Sequence, residues 1–182
     1  MNPEKGKILL SDPFLQDPNF IRTTILLCEY NKEGAIGFVV NKRLEFVLED
    51  IVDAASGVKF AVYEGGPVAQ TSLHFIHRKG ALIKESVALS NGIFWGGDFE
   101  QVLDLINNKQ IDEKDIRFFV GYSGWSEGQL DDELKEKSWI VSETDADLVF
   151  STEVDLIWKE SLKKLGGEYA YMGNYPSNPQ LN

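Results

Sequence analysis

The period of apolar and polar positions changes several times along this chain, and each change marks an element. Residues 7–10 are a short apolar run stopped by Asp12-Pro13, which predicts a first strand. Residues 16–21 predict one helical turn, with Pro18 suited to a first helical position. Residues 23–30 are rich in β-branched and apolar side chains. Asn31-Lys32-Glu33-Gly34 then reads as a turn and residues 35–40 return, so a β-hairpin is predicted. Gly37 inside its second strand signals either a bulge or a close backbone approach.

Further on, apolar residues at 47, 48, 51, 52 and 55 have helical spacing and predict a helix over residues 46–55. Strands are predicted at residues 59–63 and 71–78, with short ones at 86–89 and 93–95. Asp98 and Gln101 form a capping-box pattern ahead of Phe99, Val102, Leu103 and Ile106 on one helical face. Residues 116–120 are the most apolar strand, and Gly121-Tyr122-Ser123-Gly124-Trp125 reads as a turn after it. Ser126 and Gln129 predict the cap of a helix carrying Leu130 and Leu134, followed by a strand at residues 139–142. A last helix over residues 153–165 carries Val154, Ile157, Trp158, Leu162 and Leu165 on one stripe and stops at Gly166-Gly167. From Asn174 the chain has prolines and little apolar material, so a loose ending is expected. No repeat or linker interrupts the pattern. The expectation is a single α/β or α+β domain over residues 1–182, built on a mixed, partly open barrel-like sheet with flanking helices.

Composition supports a folded core, with 43% hydrophobic residues against 26% charged. The charge balance narrows the partners. Eighteen Lys and Arg face 29 Asp and Glu, a net charge of −11, and the basic residues form no run. A nucleic-acid binder draws its non-specific affinity from clustered cations, so direct nucleic-acid contact is not expected. The expected partner is a protein or a small molecule. No apolar stretch approaches the roughly 20 residues that cross a bilayer, and residues 8–10 are too short for a signal-peptide core. A cytoplasmic setting is expected. Cys28 is the only cysteine, which excludes an intramolecular disulfide and a cysteine zinc site. It sits in an apolar run as a small core residue.

Candidate chemistry is sparse. Gly121-x-Ser123 follows an apolar strand as a nucleophile elbow would, yet Trp125 stands where a small residue is needed. The only histidines, His74 and His77, precede the serine. Three positions apart on a strand, they point to opposite faces and make a poor metal pair. HExxH, GxxxxGK[ST] and GxGxxG are all absent, and no cofactor or metal is expected. Gly65-Gly66-Pro67 reads as a tight turn, or as a loop whose backbone N–H groups meet a ligand. The acids within residues 127–136 read as a solvated helix face.

Several segments in order carry a resemblance. They are Leu10-Ser11-Asp12-Pro13, Asp17-x-x-Phe20, Cys28-Glu29-Tyr30, the run from Gly34 to Asn41, Tyr63-Glu64-Gly65-Gly66-Pro67-Val68, and Gly121-Tyr122-Ser123-Gly124-Trp125-x-x-Gly128-Gln129-Leu130, with Trp139 and Trp158. The chain resembles the YqgE/AlgH family of bacterial proteins. It departs from the pattern at Tyr30, where histidine is frequent, and at Ser123, where alanine is frequent. The resemblance implies an α/β domain on a mixed, partly open sheet and no established activity. Some members carry a transcriptional-regulator label that rests on genetic association.

The reading that follows is a non-catalytic binding or regulatory module. Its candidate contact residues are Gly65, Gly66, Pro67, Tyr122, Trp125 and Gln129, together with Glu29 and Asn41. Trp125 serves as an anchor if it is exposed. The rival is a small hydrolase-like enzyme using Glu29, Asn41, Glu64 and His74.

Overall fold

Strict alternation in the strands sorts side chains onto two faces of one sheet, and a different set of helices covers each face. The computed structural model describes residues 1–176. In chain order the strands and helices begin with β1 (Ile8–Ser11), β2 (Thr24–Asn31), β3 (Gly34–Val39) and β4 (Arg43–Val47). Short 3-10 turns at Leu48–Asp50 and Asp53–Ala55 lead to β5 (Ala61–Glu64), β6 (Val68–His77), β7 (Val87–Ala88) and β8 (Phe94–Trp95). Then come α1 (Phe99–Asn107), β9 (Ile116–Ser126), α2 (Gln129–Lys135) and β10 (Trp139–Ser142). The chain continues through α3 (Ala146–Val149), α4 (Val154–Leu165) and α5 (Tyr169–Met172).

The main path of the sheet runs β10-β1-β2-β3-β9-β6-β8-β7, open at both ends and antiparallel throughout. β9 is its spine. It pairs with β6 along one edge, while β3 and β5 share the other. The β5–β9 pairing, Val62↔Phe118 to Glu64↔Val120, is parallel. This is one mixed α+β domain with a large open sheet.

On one face Leu10, Leu26, Phe38, Ile76 and Phe119 meet Phe150 of the α3–α4 connection and Ile157, Trp158 and Leu162 of α4. Phe38 and Phe119 stack there at 5.0 Å. On the other face the neighbours in sequence take over. Leu9, Ile25 and Leu27 pack with Trp125, Trp139 and Leu130 of α2. Val62, Phe75 and Phe118 pack with Val102, Leu103 and Ile106 of α1. Asp98 caps α1 by accepting the Gln101 N–H at 3.1 Å.

Five sequence expectations are corrected. Residues 16–21 form turns rather than a helical turn, with Asp17 accepting the Asn19 N–H. Residues 46–55 are not a helix: Val47 pairs with Ala61 in β4, and the 3-10 turns after it carry Leu48 and Ala55 into the core. Gly121 to Trp125 are not a turn, because β9 runs unbroken through them. Gln101 does not close its capping box; its side-chain oxygen accepts the Lys84 N–H instead. The cap of α2 is Gly128, not Ser126, whose N–H donates to the Gln129 side chain. The bulge of the β2–β3 hairpin falls at Cys28, while Gly37 is the close approach, since a Cβ there would lie 2.6 Å from Ile25 Cγ2. α3 and α5 have no counterpart in the sequence reading. Of the ending, Tyr175 stacks on Phe14 at 5.7 Å, and the remainder from residue 177 lies outside the described residues.

Candidate functional site

The bulge at Cys28 decides what the hairpin shows to solvent. Beyond it Glu29 pairs with Ile36 and Tyr30 with Ala35. Tyr30 and Ala35 belong to the α2 side, so Glu29 and Ile36 come onto the other face. α3 and α4 do not reach that far. Ile36 lies opposite Gly124, which has no side chain to fill the space, and Val68 flanks the gap from β6 through its pairing with Tyr122. The result is an open groove of ≈ 420 Å³ whose walls include Glu29, Glu33, Ile36, Val68, Tyr122 and Gly124. The Tyr122 ring leans over Gly124, with its edge 3.1 Å from where a Cβ would stand.

Three candidates from the sequence meet in this groove: Glu29, Tyr122 and Trp125. Trp125 is only 7% exposed. Its indole N–H donates to Glu133 at 2.9 Å, and the Trp139 N–H donates to the same carboxylate oxygen at 2.7 Å, with the two rings edge to face. Trp125 is thus part of the packed core below the groove. Glu133 bridges two strands and a helix, and local pattern does not reveal it, since its partners come from different elements.

The other candidates are occupied elsewhere. Gly65 and Gly66 are buried, and only Pro67 of that turn is exposed. The Gly65 N–H bonds Val120, and its carbonyl accepts from Val39 N–H and from the Ser123 hydroxyl at 3.0 Å. A Cβ on Gly66 would lie 2.3 Å from the Tyr122 backbone, so the turn is clamped across β9 at Gly121. The fully buried Ser123 hydroxyl donates to that carbonyl, so this serine is not paired with a base. Gln129 bonds Glu133 and Ser126. Asn41 accepts the Thr24 N–H and donates to the Arg22 carbonyl, each at 2.9 Å.

Of the four residues in the enzyme reading, only Glu29 lines the groove. His74 bonds the Ser72 hydroxyl at 2.9 Å and lies against Phe38 and Tyr122. His77 is fully buried. Its Nδ1 accepts the Lys79 N–H, which places its proton on Nε2, facing the Gly96 carbonyl at 2.9 Å. Burial holds both imidazoles below the ordinary value, with the Gly96 carbonyl partly opposing this at His77. Burial likewise pushes the Cys28 thiol well above its usual range, so it is a packing residue and not a nucleophile.

Burial also brings the Arg117 guanidinium down to about 10, opposed by Tyr63 and Glu113. It stays charged at neutral pH, 4.1 Å from the Tyr63 ring centroid, and donates to the Val40 and Ser151 carbonyls. Those bonds tie β9 to the end of β3 and to the loop before α4. Among the described residues, no helix is long and apolar enough to cross a membrane.

Comparison with known proteins agrees with this architecture. Solved structures that share the fold include a protein from Corynebacterium diphtheriae (TM-score 0.77, 18% identity, 96% of this chain and 94% of that one) and the AlgH protein from Pseudomonas aeruginosa (0.74, 23%, 97% of each). At these identities the likeness speaks for fold alone. Sequence similarity reaches further. A UPF0301 protein of Chlorobaculum tepidum is 42% identical over 177 residues, covering 97% of this chain and 95% of the relative. One from Cytophaga hutchinsonii is 40% identical over 179 residues, covering 98% of each. The AlgH-like (DUF179) family model matches residues 8–170. With its full length matched by UPF0301 relatives and its fold by AlgH, the chain belongs to the bacterial AlgH-like family.

Proposed function

We propose that this protein is a non-catalytic binding module, and that its contact surface is the groove between the β2–β3 hairpin and the end of β9. The observation that carries this reading is the groove's composition. Apolar surface from Ile36, Val68 and Tyr122 lies beside the carboxylates of Glu29 and Glu33 in one open concavity. Such a surface suits a ligand with an apolar body and a cationic end, such as a basic amphipathic peptide or a hydrophobic amine. The net charge of −11 favours the same partners by long-range attraction.

Gly124 offers a direct test, because its backbone lies outside the left-handed region and its Cβ position is crowded chiefly by the movable Tyr122 ring. Gly124→Val would plug the groove. In a thermal-shift screen of basic amphipathic peptides and hydrophobic amines, a true ligand at 100 times its Kd adds about 2.7 kcal/mol, or about 5–10 °C in Tm. The expected result is a saturable hit on the wild type that disappears in Gly124→Val and weakens in Glu29→Gln. A screen with no hit, or hits indifferent to Gly124→Val, would overturn the placement.

A further inference from the structure

A second cavity, away from the groove, has the opposite chemistry. A cleft of ≈ 330 Å³ lies between the loop before β2, the end of the hairpin and α4. Arg22, Lys42 and Lys159 line it, with Asn41 and Trp158. Three cations in one small cleft are unexpected in a chain of 18 basic and 29 acidic residues. Asp155 shares the rim, yet among the described residues none of the three cations has a carboxylate within 4.0 Å.

The cleft is also built rather than incidental. Arg22 adopts φ 51, a left-handed conformation uncommon for a residue with a side chain. Asn41 holds it there by donating to its carbonyl and accepting the N–H of Thr24. This bend lays the guanidinium over the Trp158 ring at 5.3 Å, and the ring is itself fixed by its indole N–H on the Ser11 carbonyl at 3.0 Å. Arg22 Nη2 donates to the Tyr175 carbonyl and Lys42 Nζ to the Asn19 carbonyl, so neither cation meets an anion. Arg22 Nε is buried with no hydrogen-bond partner. A buried donor on a charged group is costly to leave unpaired.

The geometry points to an oxyanion site in this cleft, in which Arg22, Lys42 and Lys159 receive the phosphate or carboxylate end of a small ligand. Arg22 and the two lysines supply charge, and Trp158 and Ile21 provide apolar contact for the rest of the ligand. Asn41 is a positioning residue that acts through the Arg22 backbone.

The test is a titration of the ¹⁵N-labelled full chain with inorganic phosphate at constant ionic strength, balanced with chloride. The Arg22 Nε–H and Trp158 indole resonances are expected to shift together and to saturate. Lys159 is exposed on α4, so Lys159→Glu should fold normally and weaken phosphate by at least about tenfold. Lys32→Glu, at the exposed hairpin turn, should leave the affinity unchanged. Arg22→Gln should abolish saturation, but the outcome does not depend on that variant folding. Repeating the titration with succinate in place of phosphate distinguishes a carboxylate preference from a phosphate one. Shifts that rise linearly without saturation, or that are equal in Lys159→Glu and Lys32→Glu, would overturn the site.

Discussion

Glu133 is the side chain whose loss should be felt most for its size. One of its carboxylate oxygens accepts both the Trp125 and the Trp139 indole N–H, while the other accepts from Gln129. Both indoles belong to residues under 10% exposed, so water cannot readily replace the acceptor. Glu133→Ala is expected to cost about 2–4 kcal/mol, two charge-assisted bonds less what relaxation recovers. Urea unfolding of the variant measures it, with a change in tryptophan emission as a local signature. A loss below about 0.5 kcal/mol, the range of an ordinary surface substitution, would show the clasp to be incidental. None of this is visible along the chain. Trp125 looked like an anchor for a partner because indoles are enriched at interfaces, and only the strand register reveals that its N–H is already taken.

The crossing of the Gly65-Gly66 turn over β9 is the junction on which the sheet depends. It sits where β3 and β5 meet on the same edge of β9, and it is held by Gly65 bonds to Val120 and Val39. Gly66 has φ +154, and a Cβ there would fall 2.3 Å from the Tyr122 backbone. Gly66→Ala should therefore cost at least about 3 kcal/mol, because backbone must move to admit the methyl group. Chemical denaturation of the variant checks this, and an unchanged midpoint would mean that the turn can open without penalty. Away from this junction, the elements are legible in local sequence. The hairpin, the capped helix after Asp98 and the α4 stripe declare themselves through local period and turn chemistry. Gly121 and Gly124 looked like a turn because glycine usually breaks strands. Here Gly121 lets another backbone pass, and Gly124 leaves the groove open. Residues 46–55 misled for a related reason: a 3-10 turn repeats every three residues and so imitates helical spacing. The groove itself was legible only in part, through Glu29 and Tyr122, since its floor is made by a missing side chain.

For the molecule as a whole, pH offers a reading of how the buried imidazoles are held. His74 and His77 both have folded pKa values below the ordinary 6.5. In the window just below 6.5 the unfolded chain binds more protons than the folded one, so stability falls as pH falls. One such proton gives a slope of at most about 1.4 kcal/mol per pH unit. His77→Gln is expected to flatten the stability curve between about pH 5 and 6.5, where unperturbed carboxylates stay largely ionised. An identical slope in the variant would assign the acid sensitivity elsewhere. Asp145 adds a separate loss at lower pH, because its bond to Lys164 holds its carboxyl below 3.8 and the benefit vanishes once it protonates. The position of β9 in the sheet has a further consequence, for how the chain emerges from the ribosome. β2 and β3 are made early, but the edge of β3 stays without its partner until β9 has been translated, and β1 waits longer still for β10. At bacterial synthesis rates that delay is on the order of ten seconds. Through it the Ile25-Leu26-Leu27 strand and Phe38 stand unshielded on a nascent hairpin. The late spine thus makes this a fold that cannot close its core until β9 and β10 have been made, and one whose first strands have reason to engage a chaperone.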